Sequence, residues 1–305
     1  MKLKCLFTIS LLLIAVGCSM STSQEENDPL QIGLMPTMDS IAIATAYELG
    51  LFEAHGVEVE LIPFSSAHDR DAAFQVGALD GATVDLIAVG LFNEGGFPIR
   101  ATSVTTAHFT LIGQQNYQNI KDLTNKTVLI SNNTAIDFVL DQMLVNYGLA
   151  HDQINRVEVG NIPARFEMVR AGNADAALIS EPFATMAVAD GLSVISDTFQ
   201  IDFNPFVLAF SLETIETRSD ELRAFYQAYN QAITYLNNEP TIATLNAAFD
   251  LIGFPDGFVN YVSLPTFLHS QLPKPAVVAT AHNWLITRGL ISADTDIATF
   301  TDEIE

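Results

Sequence analysis

Residues 164–180 read ARFEMVRAGNADAALIS, and residues 69–85, a constant 95 positions earlier, read DRDAAFQVGALDGATVD. The two stretches align without a gap, setting Arg165 on Arg70, Gly172 on Gly77, Asp175 on Asp80 and Ala177 on Ala82. Each copy reads as a helix, a glycine stop and a short strand of small and apolar residues. Just upstream, GVEVELIPFSSAHDR and RVEVGNIPAR echo one another. A spacing of 95 is too long for a solenoid unit, and it predicts two α/β lobes built on one plan.

The rest of the chain extends that plan. LQIGLM (30–35) reads as a strand, SIAIATAYELGLFEAHG (40–56) as a helix stopped by Gly56, and VEVELIPF (57–64) as an alternating strand. ATVDLIAV (82–89) and IRATSVTT (99–106) supply two more strands, with the glycines from Gly90 to Gly96 read as a turn. The second series runs KTVLIS (126–131) as strand, NTAIDFVLDQMLVNYG (133–148) as helix, INRVEVG as strand, IPARFEMVRAG as helix and ADAALIS as strand. PFATMAVADG then reads as helix and LSVISD as strand. Strands alternating with amphipathic helices predict parallel sheets covered on both faces. After about residue 204 one further strand, VLAFSLETI, precedes a largely helical C-terminal third.

Composition narrows the class. Of 305 residues 49% are hydrophobic and 16% charged, which is globular. Thirteen basic residues stand against 36 acidic ones, a balance that repels phosphate backbones and argues against nucleic acid as a partner. Lys2 and Lys4 followed by the apolar run Leu6 to Val16 form an export leader, too short to span a bilayer. Ala15-Val16-Gly17-Cys18 resembles a bacterial lipobox, with Ala in place of the usual Leu. That pattern predicts a signal peptide over 1–17, acylation (palmitate) at Cys18 and a polar tether over 18–28. The other cysteine, Cys5, leaves with the leader, so no intramolecular disulfide and no thiolate metal site remain.

Ligands of open parallel sheets sit beyond the strand carboxyl ends, against helix N-termini. In the first lobe this rule selects Thr37, Met38, Asp39, Ser65, Ser66, Arg70, Thr83 and Asp85. In the second it selects Ser131, Asn132, Asn133, Thr134, Arg165 and Glu181. Most are also favoured helix caps, so each is open to both readings. Six such loops on two facing lobes suit a binding crevice better than a reaction. The six histidines are scattered without metal-ligand spacing, and neither G-x-S-x-G nor G-x-x-x-x-G-K occurs. No catalytic group, metal or cofactor is therefore expected.

YELGLFEAHGVEVELIPFSSAHDRDAAFQVGALDGATVD and NIPARFEMVRAGNADAALISEPFATMA together resemble the solute-binding proteins of ABC importers, in the nitrate, sulfonate, taurine and thiamine-precursor group. The likeness runs from about residue 30 to 292. It implies a type II periplasmic-binding-protein fold, two doubly wound lobes joined by a two-segment hinge near Thr106 and Phe203. Lobe one would comprise 29–106 plus the C-terminal return over 205–305, and lobe two 107–204. It further implies a monomer that delivers a small molecule to a permease and its ATPase, lipid-anchored on the periplasmic or extracellular side of a bacterial membrane. The acidic surface would meet basic residues of the permease. Two alternatives stand beside it. One is an enzyme of the menaquinone- or pyrimidine-biosynthesis type on the same fold; the other is a ligand-sensing module. The Cys-rich motif of the synthase type is absent, and so is a fused signalling domain.

The ligand is left open between two chemistries. An oxyanion such as nitrate or a sulfonate calls for helix N-termini and a cation, and Arg70 and Arg165 are the cations near these loops. Each could instead pair within its own lobe, with Asp80 or Asp175 as partner. A flat heterocycle calls for aromatic walls, available from Phe64, Phe109, Phe183 and Phe206. Twenty Phe against few Arg tilts the reading toward an organic ligand, and Glu181 at the crevice mouth would repel a simple anion.

Overall fold

The computed structural model describes residues 28–238 and 240–304; the leader and Cys18 lie outside the described residues. Along the first lobe run β1 (Leu30–Leu34), α1 (Ile41–Glu48), α2 (Leu51–Ala54), β2 (Val59–Pro63), α3 (Ala67–Gln75), β3 (Gly81–Asp85), α4 (Leu86–Glu94) and β4 (Ile99–Val104). The second lobe holds β5 (Phe109–Gly113), β6 (Thr127–Ile130), α5 (Ala135–Asn146), β7 (Asn155–Glu158), α6 (Ile162–Arg170), β8 (Ala176–Ser180), α7 (Phe183–Ala189) and β9 (Ser193–Asp197). The chain then adds β10 (Phe206–Ser211), α8 (Leu212–Thr217), α9 (Ser219–Asn237), α10 (Ile242–Leu251) and α11 (Pro275–Thr287).

Two five-stranded sheets result, ordered β2-β1-β3-β10-β4 and β7-β6-β8-β5-β9. Each has one antiparallel strand, and these two strands are exchanged between the lobes. β5 enters the second sheet directly after β4, while β10 returns to pair antiparallel with β3 and β4. The chain therefore crosses between the lobes twice, and the crossings are bonded side by side. Thr105 N–H donates to Phe206 O at 3.0 Å, Asn204 Nδ2 to Thr105 O at 2.6 Å, and Thr198 N–H to Phe109 O at 3.0 Å.

The 95-residue repeat is physical: α3 and β3 map onto α6 and β8 residue for residue. Gly77 and Gly172 both take left-handed φ, 75° and 74°, where each helix ends. Asp80 accepts the Gln31 amide at 2.8 Å, and Asp175 accepts the Thr127 amide at 2.8 Å. Each aspartate thus secures the start of the neighbouring parallel strand.

Two strand expectations change. Residues 82–89 are not one strand, because β3 ends at Asp85, whose carboxylate caps α4 through the amides of Ile87 (3.0 Å) and Ala88 (2.9 Å). α4 is apolar on nearly every side and carries no helical stripe to betray it. At Gly90 an added Cβ would meet Leu285 Cδ1 of α11 at 2.3 Å, so the glycine lets the two helices cross closely. β5 is a strand that the alternating pattern did not mark, a fully buried central run.

The cores sit on both faces of each sheet. α1, α9 and α10 cover one face of the first sheet, and α4 with α11 the other. Phe138 of α5 belongs to the core beside α11, packing 5.3 Å from Trp284 and 5.1 Å from Phe203 although it springs from the second lobe. Among the described residues no helix is long and apolar enough to cross a membrane.

Candidate functional site

A cavity opens between the two sheets. Both lobes build it from strand carboxyl ends and the helix starts that follow. Lobe one contributes Met35, Thr37, Asp39, Ala67, Arg70, Thr83, Val84 and Asp85; lobe two contributes Phe109, Ser131, Thr134, Ala135, Ile136, Gly160, Ile162 and Arg165. Phe206 completes the lining and stacks on Phe109 with centroids 4.5 Å apart, one ring from each crossing.

Nine of the sixteen expected ligand residues line this space: Thr37, Asp39, Arg70, Thr83, Asp85, Ser131, Thr134, Arg165 and Phe206. The structure places the other seven outside it, for local reasons. Met38 is turned into the core beneath α1. Ser65 sits at the rim, where it accepts from Asn161 Nδ2 (3.2 Å) and the Ile162 amide (3.3 Å) across the cleft. Ser66 caps α3 by accepting the Asp69 amide. Asn132 and Asn133 form an exposed turn, Asn133 with φ of 55°. Glu181 takes the Thr185 amide and hydroxyl, each at 3.0 Å, and so caps α7 beside a separate groove lined by His108 and Asp197. Phe183 packs on Phe166 at 5.3 Å, part of the lobe-two core. Met35 and Ile136 were not anticipated; they are the apolar neighbours of the polar loops, and only their adjacency to those loops could have flagged them.

The two arginines behave differently. Arg70, 3% exposed, donates to Asp71 Oδ1 through Nε (2.9 Å) and Nη2 (2.6 Å), and to Thr83 O through Nη1 (2.8 Å). Arg165 is 1% exposed, yet its Nε and Nη1 have no partner, and Ser131 Oγ in the same lining is equally unpaired. The anticipated pairing of these arginines with Asp80 and Asp175 does not occur. Asp80 bonds Arg218, and Asp175 accepts from the Tyr117 hydroxyl. Burial brings the Arg165 pKa down to about 10, against the attraction of Glu158, which leaves it a cation at neutral pH.

Two buried carboxyls of lobe one, Asp39 and Asp85, line the same cavity. Asp39 accepts from the Thr37 hydroxyl and, at 3.4 Å, from Thr105. Burial pushes its pKa up, opposed by the Thr37 hydrogen bond and the Arg70 charge. Burial also raises that of Asp85, opposed by the Arg70 charge, the Ala88 amide and the Ala135 amide approaching from α5 across the cleft.

The lobes also meet at a flank. Asp137 and Asp141 of α5 pair with Arg156 of β7 and reach Arg288 just beyond α11, at 3.5 and 2.7 Å, while Trp284 Nε1 donates to Asp141 at 2.7 Å. Asp137, Asp141 and His151 bring potential ligand atoms within 4.8 Å of one another. Two guanidiniums already neutralise those carboxylates, which makes the group an ion-pair cluster bridging the lobes. Burial disfavours the Asp141 carboxylate, but Arg156, Arg288, Trp284 and His151 hold its pKa at about 2.

A family model described as NMT1/THI5 like matches residues 37–243. A putative ABC transporter periplasmic binding protein of Brachyspira hyodysenteriae is 22% identical over 259 residues, spanning 78% of this chain and 74% of that protein. The alkanesulfonate-binding protein SsuA from Xanthomonas axonopodis pv. citri, solved bound to MOPS, superposes with a TM-score of 0.76 at 15% identity, covering 90% of this chain and 98% of that one. The periplasmic nitrate-binding protein NrtA from Synechocystis PCC 6803 superposes with a TM-score of 0.71 at 14% identity, covering 89% and 84%. At such identities the superpositions establish the fold: two α/β lobes of the periplasmic-binding-protein type.

Proposed function

The chain belongs to the NMT1/THI5-like family, and from that premise we propose that it is the substrate-binding component of an ABC importer, enclosing one small solute between its lobes. The observation that carries this reading is the cavity itself. Its walls come from both sheets, and residues from both crossings form part of its lining. A solute touching both walls is held fully only when the lobes are together, so binding shifts the population toward the closed form. A permease can then distinguish loaded from empty protein by shape. The name of the Brachyspira relative and the sulfonate and nitrate neighbours support the same role. In this reading the protein binds its solute and releases it unchanged.

Anchoring by a lipid on Cys18, after removal of residues 1–17, is part of the proposal and places the monomer on the outer face of a membrane. Cys18→Ser should release the protein from membranes and remove the acyl mass; unchanged mass and membrane association would reject the anchor. The role itself is tested by a thermal-shift screen of the purified protein against nitrate, sulfonates, pyrimidine precursors and flavins. A ligand at about 100 times its Kd adds about 2.7 kcal/mol and raises the midpoint. If no solute in the screen moves it, the binding role fails.

A further inference from the structure

We propose that the lobes part on one side only: the α5 flank stays seated as a pivot, and solute passes at the rim between Ser65 and Asn161. The inference rests on the binding role above and names the edge at which the protein opens to fill that role.

Sheet order sets the geometry. The two crossings join the β10-β4 end of the first sheet to the β5-β9 end of the second, and β2 and β7 stand at the far ends. The loops after β2 and β7 meet there. Ser65 accepts from Asn161 Nδ2 at 3.2 Å and from the Ile162 amide at 3.3 Å. Both bonds are long and neutral, and Ser65 and Asn161 are exposed, so water replaces these bonds at little cost as the rim parts. His68 of α3 overhangs Gly160 in the same place. A Cβ on that glycine would lie 3.1 Å from His68 Nδ1 and 3.3 Å from Glu158 Oε1.

The α5 flank is held by stronger means. α5 belongs to two cores at once: Ile136, Val139, Leu140 and Met143 pack in lobe two, and Phe138, fully buried, packs in lobe one. Withdrawing that ring would return its whole surface to water. Arg288 would lose Asp137 and Asp141 in the same movement, and Asp141 would lose the Trp284 indole. Such charge-assisted bonds are roughly twice as strong as neutral ones. A rotation that lifts the rim and leaves α5 in place breaks only the weak set. Its axis runs from the crossings through α5. Thr134, Ala135 and Ile136 at the start of α5 line the cavity, so that wall moves least and the wall at Gly160 and Ile162 moves most.

Double electron–electron resonance between nitroxide pairs reads both sides, on the mature chain carrying Cys18→Ser, which then has no native thiol. The rim pair is Asp69→Cys with Asn132→Cys, and the flank pair is Val145→Cys with Asn283→Cys; all four positions are exposed. Gly160→Leu drives a side chain against His68, and no label sits on the wedged loop. It should lengthen the rim distance beyond the width of the wild-type distribution and leave the flank distance unchanged. If Gly160→Leu does not fold, Asn161→Ser keeps a capping hydroxyl for α6 and deletes the amide donor to Ser65. That variant must shift or broaden the rim distances and spare the flank. Lengthening at the flank in either variant overturns the pivot, since the lobes would then part about the crossings alone. A rim that stays at its wild-type distance in both variants overturns the opening edge. Every distance is read without solute, so either failure leaves the binding role to the solute screen.

Discussion

The helix that follows the first parallel strand is α1 in lobe one and α5 in lobe two, and the two are covered in different ways. α1 is roofed by α9 and α10, which the C-terminal third returns to lobe one. The described part of the chain sends no such return to lobe two. α5 instead leans across the cleft, burying Phe138 beside Trp284 and Phe203 and pairing Asp137 and Asp141 with Arg288. One plan used twice thus yields one lobe that is complete and one that is completed by its neighbour. The arginines repeat the lesson inside the cavity, where the lobe-one copy has its partner and the lobe-two copy leaves Nε and Nη1 unbonded.

The sharpest way to break this asymmetry is Phe138→Ala. A fully buried ring contributes about 3 to 5 kcal/mol, and its loss should lower the unfolding midpoint. The lone tryptophan, Trp284, lies against that ring, so its emission should shift to the red in the variant. An unshifted spectrum with wild-type stability would mean that α5 does not depend on lobe one.

The ionic part of the contact has a pH signature. The Asp141 carboxyl titrates near 4 in an unfolded chain and at about 2 here. Its stabilisation is therefore complete above pH 4 and disappears as the pH falls through 2, and two pKa steps amount to roughly 2 to 3 kcal/mol. Denaturant unfolding should show Asp141→Asn destabilised by about that amount at neutral pH, with the gap closing in acid. A gap that stays constant down to about pH 2 would rule out the ion pairs as its source.

The smallest effect compares the arginines directly. Arg70→Gln leaves a carboxylate and a carbonyl unbonded and should cost about 2 kcal/mol in the ligand-free protein. Arg165→Gln removes a buried charge whose Nε and Nη1 have no hydrogen-bond partner and should be neutral within about 0.5 kcal/mol or slightly stabilising. Equal losses in urea titrations of the two variants would show that Arg165 is a scaffold residue like its twin.

Much of this was legible in the residues. The repeat placed α3 against α6 and β3 against β8, and the rule of strand carboxyl ends found eight of the residues that line the cavity, with Phe206 coming from the search for aromatic walls. Where the reading failed, the signal was local and the answer was not. Residues 86–89 are as apolar as a buried strand, and only the crossing of α11 at Gly90 shows the helix. Ser66 and Glu181 are good caps in any setting, and capping is where the structure spends them. The Arg70 and Arg165 partners were sought at the matched aspartates, which instead secure neighbouring strands.

The sequence by itself determined two lobes of one pattern, the loops at the strand ends and an acidic chain, because periodicity, glycine stops and charge are properties of neighbours along the chain. Tertiary structure alone decided the exchange of β5 and β10, the passage of Phe138 into the other lobe and the solitude of Arg165. Each of these depends on which distant group arrives at a given point in space. A guanidinium is paired or unpaired according to what packs around it, and around Arg165 nothing in the fold reaches Nε or Nη1.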